Sequence, residues 1–231
     1  MAMTANGVEA NTRLSFKNYE DINIESEVKS EEINDMYAYL NDLPVYLLNF
    51  INRRGVTISL LNDNNKAEEN YERVYQEPLN SSIQAFCHWE NKTIYIESPS
   101  NKNYYEMFPN SSEGLSKKQF NKIVLKDNLY HELGHMVDCY WFFTLSQSKE
   151  FISIYNEEMN SIRNTNSYKI DNLSIDANIN NPNEYFAQAF ACYFTHPNEL
   201  LSNCPKTYSY IDDYMQYLKE KFSSYTKKRK R

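Results

Sequence analysis

The stretch from Asn128 to Trp141, NLYHELGHMVDCYW, constrains the chain more than any other because it contains the pattern HELGH. His131 and His135 are four residues apart, so on a helix they lie on the same face and can bind one metal ion together. Glu132 lies beside them, where its carboxylate can act as a general base on water. Zinc suits this chemistry because it lowers the pKa of the water that it binds to about 7. We therefore predict a zinc site on this helix.

The residues around the HELGH pattern predict a helix with a buried face. The apolar residues at helical spacing are Leu129, Leu133, Met136, Val137 and Tyr140. Gly134 lies in the middle of this helix, although glycine there costs about 1 kcal/mol relative to alanine. We expect that another backbone, or the metal region, approaches the helix closely at Gly134. The buried face argues against the alternative, in which the two histidines are polar residues on an exposed turn.

Length, composition and charge favour one acidic domain. The chain has 231 residues, of which 41% are hydrophobic, which is enough for one packed core. No apolar run approaches the roughly 20 residues of a membrane span, and no secretory signal is visible near the start. Lys227–Arg231 carries five of the positive charges, so the formal net charge of −7 leaves −12 for the remainder. An acidic body argues against nucleic-acid binding.

The sequence divides into three parts. Residues 1–28 are polar and rich in Asn and acidic residues, which predicts a flexible lead-in. Residues 29–225 form the predicted folded domain. Residues 226–231 form a basic tail, which we interpret as a solvated chain end. An import signal and a patch for an anionic surface are the alternatives for this tail.

Patterning outside the HELGH helix predicts a mixture of helices and short strands. Helices are expected from Ser30, from Asp42 to Gly55, and from Lys117 directly into the HELGH helix. Strands are expected over residues 56–61, 82–89 and 93–97, with a hairpin turn at 90–92. Two long polar segments, residues 98–116 and 163–181, are expected to be loops.

The cysteines and the isolated His88 show no metal-binding pattern of their own. Cys87, Cys139, Cys192 and Cys204 lack CxxC spacing, and a disulfide between two of them stays open. Cys139 and Cys192 lie in apolar contexts typical of small buried residues. His88 is expected to be a packed or surface residue, because a ligand needs partners at defined spacing.

A catalytic zinc ion needs a third protein ligand, which should come from a different element. The best candidate is Glu184 in NPNEYFAQAFA, a segment in which Pro182 lies near the start of a predicted helix. Gln188 follows Glu184 by one turn on the same face. Taken alone, Glu184 would be an ordinary first-turn acid favoured by the helix dipole.

Three segments together resemble the zinc-peptidase domain of anthrax lethal factor, a domain type that also occurs in the bacterial Pro-Pro endopeptidases. They are HELGHMVD, NEYFAQAF and CPKTYSYIDDYMQYL, and the resemblance extends back to NKTIYIESPS. The resemblance implies that Glu184 is the third ligand and that Gln188 replaces a second acid of the family. It also implies an oxyanion-stabilising tyrosine upstream of Glu184, for which Tyr168 is the candidate.

We therefore predict a mainly helical α+β, gluzincin-like metallopeptidase fold in which a small mixed sheet packs on the HELGH helix. An edge strand near Thr93–Glu97 would align a protein or peptide substrate in extended form. The resemblance implies hydrolysis of peptide bonds with one zinc ion per chain, and no nucleic-acid partner is expected. It also implies a secreted toxin or effector, with a cytoplasmic location as the alternative.

Three other classes of protein stay open. The first is an inactive lethal factor-like domain that binds a partner, although the inactive domain of that family has lost the HExxH pattern that this chain keeps. The second is a peptide deformylase, which would need a ligand cysteine in a Gly-Cys-Leu-type loop, whereas Cys87 lies in a strand-like AFCHW. The third is a nucleic-acid or membrane module that acts through the basic tail, which the acidic body disfavours.

Overall fold

One long helix packs against both the sheet and several other helices. The computed structural model describes residues 23–26, 28, 30–61, 71–72, 85–88, 90–100, 104–107, 109–140, 143–165, 179 and 181–223. Its helices are α1 (Ser30–Asp42), α2 (Val45–Arg54), α3 (Tyr104–Met107), α4 (Pro109–Ser112), α5 (Lys117–Asp138), α6 (Lys149–Glu158), α7 (Pro182–Thr195), α8 (Pro197–Asn203) and α9 (Pro205–Phe222). Its strands are β1 (Asn23–Ser26), β2 (Thr57–Leu61), β3 (Ala85–His88), β4 (Thr93–Glu97), β5 (Cys139–Tyr140) and β6 (Phe143–Thr144).

Four of the strands form a mixed sheet with the order β1-β2-β4-β3. Strands β1, β2 and β4 are parallel, and β3 is antiparallel to β4. The predicted hairpin is therefore confirmed, but the prediction that Thr93–Glu97 is an edge strand is wrong. The tight turn before β4, in which Lys92 has a φ of 58°, folds β3 back against β4, so β3 takes the outer position.

The first strand lies inside the predicted lead-in. Residues 23–26 pair with β2 in parallel register, from Asn23 beside Thr57 to Ser26 beside Leu60. The boundary expected at residue 28 is therefore too late, because this pairing makes β1 a part of the sheet. Residues 1–22 of the predicted lead-in lie outside the described part of the chain, and so does the predicted basic tail, residues 226–231.

Helix α5 joins the predicted helix from Lys117 and the HELGH segment into one continuous element. Its start has a capping box, in which the Ser116 side chain accepts a hydrogen bond from the Gln119 backbone while the Gln119 side chain accepts one from the Ser116 backbone. Its second half is buried on nearly all sides, including Glu132 and Asp138. This half therefore lies inside the protein, where the sheet covers one side and α7 covers another.

Helices α5 and α7 cross at Gly134. A Cβ atom added to Gly134 would lie 2.8 Å from the Ala187 Cα atom and 3.0 Å from the Ala187 carbonyl oxygen. The two backbones therefore touch directly, which confirms the close approach predicted from this glycine. Phe190, one turn further along α7, would also lie 3.1 Å from the added atom through its Cβ.

The last helix, α9, begins with Pro205 and is anchored to α6 by the buried carboxylate of Glu158. This carboxylate accepts hydrogen bonds from the backbone N–H groups of Lys206 and Thr207 at 3.0 and 2.9 Å, and from the Thr207 hydroxyl at 2.8 Å. Glu158 therefore satisfies helix N–H groups that have no partner within their own helix. An acid at this end also interacts favourably with the helix dipole.

The described elements form an α+β fold, mainly helical, with one small mixed sheet, as expected. The face of the sheet that carries Ile58, Leu60, Ile94 and Ile96 shares a core cluster with α5 residues such as Leu129 and Leu133. Part of the expected loop over residues 98–116 is helical, because α3 and α4 lie within it. Among the described residues, no helix has both the length and the apolar character required to cross a membrane.

The Gly134 crossing predicts the sign of a stability change. In an open helix position, Gly134→Ala would stabilise the protein by about 1 kcal/mol through helix propensity. Because the new methyl group would meet the Ala187 backbone, we expect a loss of about 1–3 kcal/mol instead, measured by chemical denaturation. Ala187→Gly should not rescue this variant, since the two nearest clashing atoms belong to the Ala187 backbone and stay in place. An increase in stability for Gly134→Ala would contradict the close crossing.

Neighbouring glutamates offer a matched test of the anchor on α9. Glu158→Ala should lower the free energy of unfolding by about 2 kcal/mol or more, because buried N–H groups lose a charged acceptor. Glu157→Ala removes an ion pair with Lys206 in which both side chains are more than half exposed, so it should change stability by less than about 1 kcal/mol. Equal effects of the two substitutions in thermal or chemical unfolding would contradict the anchoring role.

Candidate metal centre

Three side chains from two helices converge beside the α5–α7 crossing. His131 and His135 project from α5, and Glu184 projects from the first turn of α7. The His131 Nε2 atom lies 3.2 Å from both the His135 Nε2 atom and the Glu184 Oε2 atom. The third separation, from His135 Nε2 to Glu184 Oε2, is 3.4 Å. The predicted ligands are thus brought together at one point.

The spacing of these three atoms fits a single tetrahedral metal ion. Ligands at the usual zinc distances of about 2.0–2.2 Å lie about 3.3–3.6 Å from one another at tetrahedral corners. The observed separations of 3.2, 3.2 and 3.4 Å are close to these values. Two imidazoles and one carboxylate are also a donor set that zinc accepts in catalytic sites. Within the described part of the chain, no other group of His, Cys, Asp and Glu side chains has this arrangement.

Charge and burial differ between the two glutamates of the site. Burial opposes the ionisation of Glu184, but His135 and His131 outweigh it and hold the pKa of this carboxyl well below its usual range. Glu132 is only 5% exposed, and this burial raises its pKa above the ordinary value although both histidines act in the opposite direction. Glu184 is therefore suited to bind a cation, whereas Glu132 is suited to accept a proton.

Strand β3 brings a thiol to Glu132. Side chains alternate between the two faces of a strand, so Phe86 joins Leu61 and Tyr95 on one face while Cys87 joins the core on the other. The Cys87 thiol donates a hydrogen bond to the Glu132 carboxylate. Burial, followed by the negative charge of Glu132, raises the pKa of this thiol well above its ordinary value, so the thiol stays protonated at neutral pH.

The ends of α5 and α7 near the metal ligands are joined by a buried polar network. Asp138, the last residue of α5, accepts hydrogen bonds from the Ser146 backbone N–H and hydroxyl groups, each at 2.7 Å. The Ser146 Oγ atom also lies 2.8 Å from the Asn183 side-chain oxygen, and Asn183 directly precedes Glu184. This network fixes the start of α7 relative to the end of the HELGH helix, and so supports the position of the third ligand.

The structure places the other candidate residues, Gln188 and His88, outside the metal-binding group, and it does not describe Tyr168. Tyr168 lies outside the described residues, so its role as oxyanion donor stays a prediction. Gln188 is buried one turn after Glu184, at the position where the resemblance implies an acid. His88 accepts a hydrogen bond from the Asn91 backbone at 3.2 Å and is not part of the metal-binding group, as predicted.

All four cysteines are free thiols, which answers the open question of a disulfide. Cys192 is fully buried as expected, whereas Cys139 is only partly buried. Cys87 contacts Glu132 but is not one of the clustered side chains, so a deformylase-like cysteine ligand has no support here. The contact of Cys87 with Glu132 was missed by sequence analysis, and the only available signal was the alternation of side chains along AFCHW.

Comparison with known protein families shows a match over most of the chain. The family described as "Anthrax toxin lethal factor, N- and C-terminal domain" matches residues 15–214. The chain belongs to this lethal factor family. The match includes α5, α7 and all three clustered ligands, and it also reaches back over strand β1, which the expected boundary at residue 28 excluded.

Solved structures that resemble this lethal factor family member include a bacterial endopeptidase. The Pro-Pro endopeptidase PPEP-2 from Paenibacillus alvei is 18% identical in sequence, with a TM-score of 0.47. The similarity covers 82% of this chain and 96% of that chain. No curated protein matches the chain. Membership in the lethal factor family therefore rests on the sequence match over residues 15–214.

The convergence of His131, His135 and Glu184 predicts where metal affinity resides. Glu184→Ala should weaken zinc binding by at least about 100-fold, because the loss of even an outer partner costs 10–100-fold. Glu150→Ala is the matched control, since Glu150 is an exposed first-turn acid of α6 with no place in the cluster. Metal content after dialysis, together with competition against a chelator of known affinity, measures the difference. Stoichiometric high-affinity zinc in Glu184→Ala would remove Glu184 from the ligand set.

Proposed function

We propose that this protein is a zinc-dependent metalloendopeptidase that hydrolyses peptide bonds in a protein substrate. The observation that carries the proposal is the cluster of His131, His135 and Glu184 donor atoms at 3.2–3.4 Å, directly beside the buried carboxylate of Glu132. A purely structural zinc site is usually closed by four protein ligands, whereas three protein ligands are typical of catalytic sites. Membership in the lethal factor family supports the same reaction class.

Each residue of the site has a distinct role in the proposed reaction. His131, His135 and Glu184 hold the metal, which when bound supplies a Lewis acid that polarises the scissile carbonyl and activates water. Glu132 takes a proton from the attacking water and then delivers a proton to the leaving amine. Burial of Glu132 favours both steps, since its raised pKa lies closer to neutral pH than that of an exposed carboxyl. Tyr168 remains the candidate hydroxyl that stabilises the oxyanion.

The substrate is proposed to bind in extended form along an outer strand of the sheet. The described sheet has two outer strands, β1 and β3, and the proposed one is β3, which pairs with β4. Strand β3 contacts the HELGH helix, so a peptide added at this edge would run past the metal ligands. Main-chain hydrogen bonds of this kind align a peptide whatever its sequence. Pockets for every second side chain of the peptide would then determine which sequences are preferred.

Secretion and a role as a toxin or effector belong to this proposal and rest on the resemblance to lethal factor. The acidic charge of the body argues for a protein partner and against nucleic acid. Cleavage of a peptide library, followed by identification of the new amino termini, would define the preferred sequence around the scissile bond. The same assay tests the alternative of a lethal factor-like domain that binds a partner without cleaving it. That alternative has less support, because the base and all three ligands are present.

The division of roles between base and ligands predicts the behaviour of Glu132→Gln. This substitution keeps the size of the side chain but removes the base, so peptide hydrolysis should fall by about 10²–10⁴ while zinc content and unfolding are unchanged. His131→Ala should instead lose activity together with zinc. Cleavage rate and metal content, measured on the same preparations, separate the two cases. If Glu132→Gln kept more than about a tenth of the wild-type rate, Glu132 would not be the base.

A further inference from the structure

The base of the proposed site is held from a second element of the fold. Glu132 lies on α5, whereas its thiol partner Cys87 lies on β3, so the hydrogen bond joins the HELGH helix to the outer strand of the sheet. Cys87 is only 4% exposed, and it faces the core because strand alternation turns Phe86 to the opposite side. The thiol therefore reaches the carboxylate from inside the protein and not from the solvent.

The two oxygens of the Glu132 carboxylate are not equivalent. The carboxylate accepts the hydrogen bond from Cys87, yet its Oε2 atom is buried and has no hydrogen-bond partner among the described residues. A buried carboxylate oxygen without a partner is costly, and such an atom in a native structure requires an explanation. The hydrogen bond from Cys87 is therefore the side-chain contact that holds this carboxylate among the described residues.

Glu132 also needs to be held in one orientation. A glutamate side chain has three rotatable bonds, and a general base must lie within hydrogen-bond distance of the proton that it removes. The backbone of α5 fixes only the start of this side chain. A donor on β3 fixes its far end, and a protonated thiol can donate to a carboxylate without bringing a competing charge to the metal ligands.

We propose that Cys87 is a positioning residue that orients the catalytic base Glu132 through a hydrogen bond from its thiol to the carboxylate. This inference rests on the proposed peptidase function. It assigns to Cys87 neither metal binding nor nucleophilic attack. It predicts that the thiol affects the rate of the chemical step, with little effect on substrate binding or on metal content.

Three cysteine variants test the proposal on the full chain with its metal. Cys87→Ala should lower kcat about three- to tenfold, the effect of losing a weak hydrogen bond to a charged group, while KM changes less than about twofold. Cys87→Ser, which keeps a donor, should restore kcat to within about twofold of the wild type. Cys192→Ala is the matched control, because it also removes a fully buried sulfur but lies outside the site. Zinc content should stay stoichiometric in all three.

The outcomes of these measurements are distinct. If Cys87→Ala and Cys87→Ser lost kcat equally, the sulfur would fill space and would not act as a donor. If Cys87→Ala kept the wild-type kcat, or if the loss appeared in KM or zinc content, the positioning role would be wrong. A loss of kcat in Cys192→Ala as large as that in Cys87→Ala would also overturn it, because a general loss of packing would then explain both.

A double-mutant cycle tests the same contact without an activity assay. Cys87→Ala, Glu132→Ala and the double variant are compared by chemical unfolding of the full chain. The changes in the unfolding equilibrium constant should be non-additive by about threefold or more if the two side chains interact. Additive changes would overturn the contact. If this coupling were present while Glu132→Gln kept full peptidase activity, the contact would stand and the proposed peptidase mechanism would be the part that failed.

Discussion

The direct contact between the backbones at Gly134 and Ala187 is the constraint on which the site depends. His135 follows Gly134 immediately, and Glu184 precedes Ala187 by three residues, so the crossing point lies next to ligands on both helices. A side chain at position 134 would force the helices apart by roughly the size of a methyl group, and the separations of 3.2–3.4 Å between donor atoms would increase with it. A residue that carries no functional group thus determines whether three functional groups can share one ion.

Much of the helical part of the fold was predictable because its determinants are local. The spacing in HELGH, the Ser116 cap, the glycine in mid-helix and the proline before Glu184 all act within a few residues, and the structure has the corresponding features. The sheet was predicted less well. Which strand lies outermost depends on pairing between distant segments, and neither the inclusion of β1 nor the outer position of β3 is encoded in side-chain periodicity. The contact of Cys87 with Glu132 was out of reach for the same reason.

The segments that resemble lethal factor contain two kinds of polar residue, those of the candidate site and those that support the fold. HELGH and Glu184 supply the candidate chemistry. The carboxylates of Asp138 and Glu158 instead accept hydrogen bonds from backbone N–H groups at the starts of helical segments. Asp138 accepts from Ser146, and Glu158 accepts from Lys206 and Thr207. Helix ends that are buried need such partners, since their N–H and C=O groups have none within the helix. The segments that carry the resemblance therefore contain residues that support the scaffold as well as residues of the candidate site.

Strand β3 presents different side chains on its two faces, so a substitution on one face can leave the other face unchanged. The side chain of Cys87 points towards Glu132, that of Phe86 points to the opposite face, and the backbone lies between them in the plane of the sheet. A substitution at position 86 alters one face of the strand without touching the residue that holds Glu132. The surface on the Phe86 side of the strand can therefore be altered by substitution while the contact between Cys87 and Glu132 is kept.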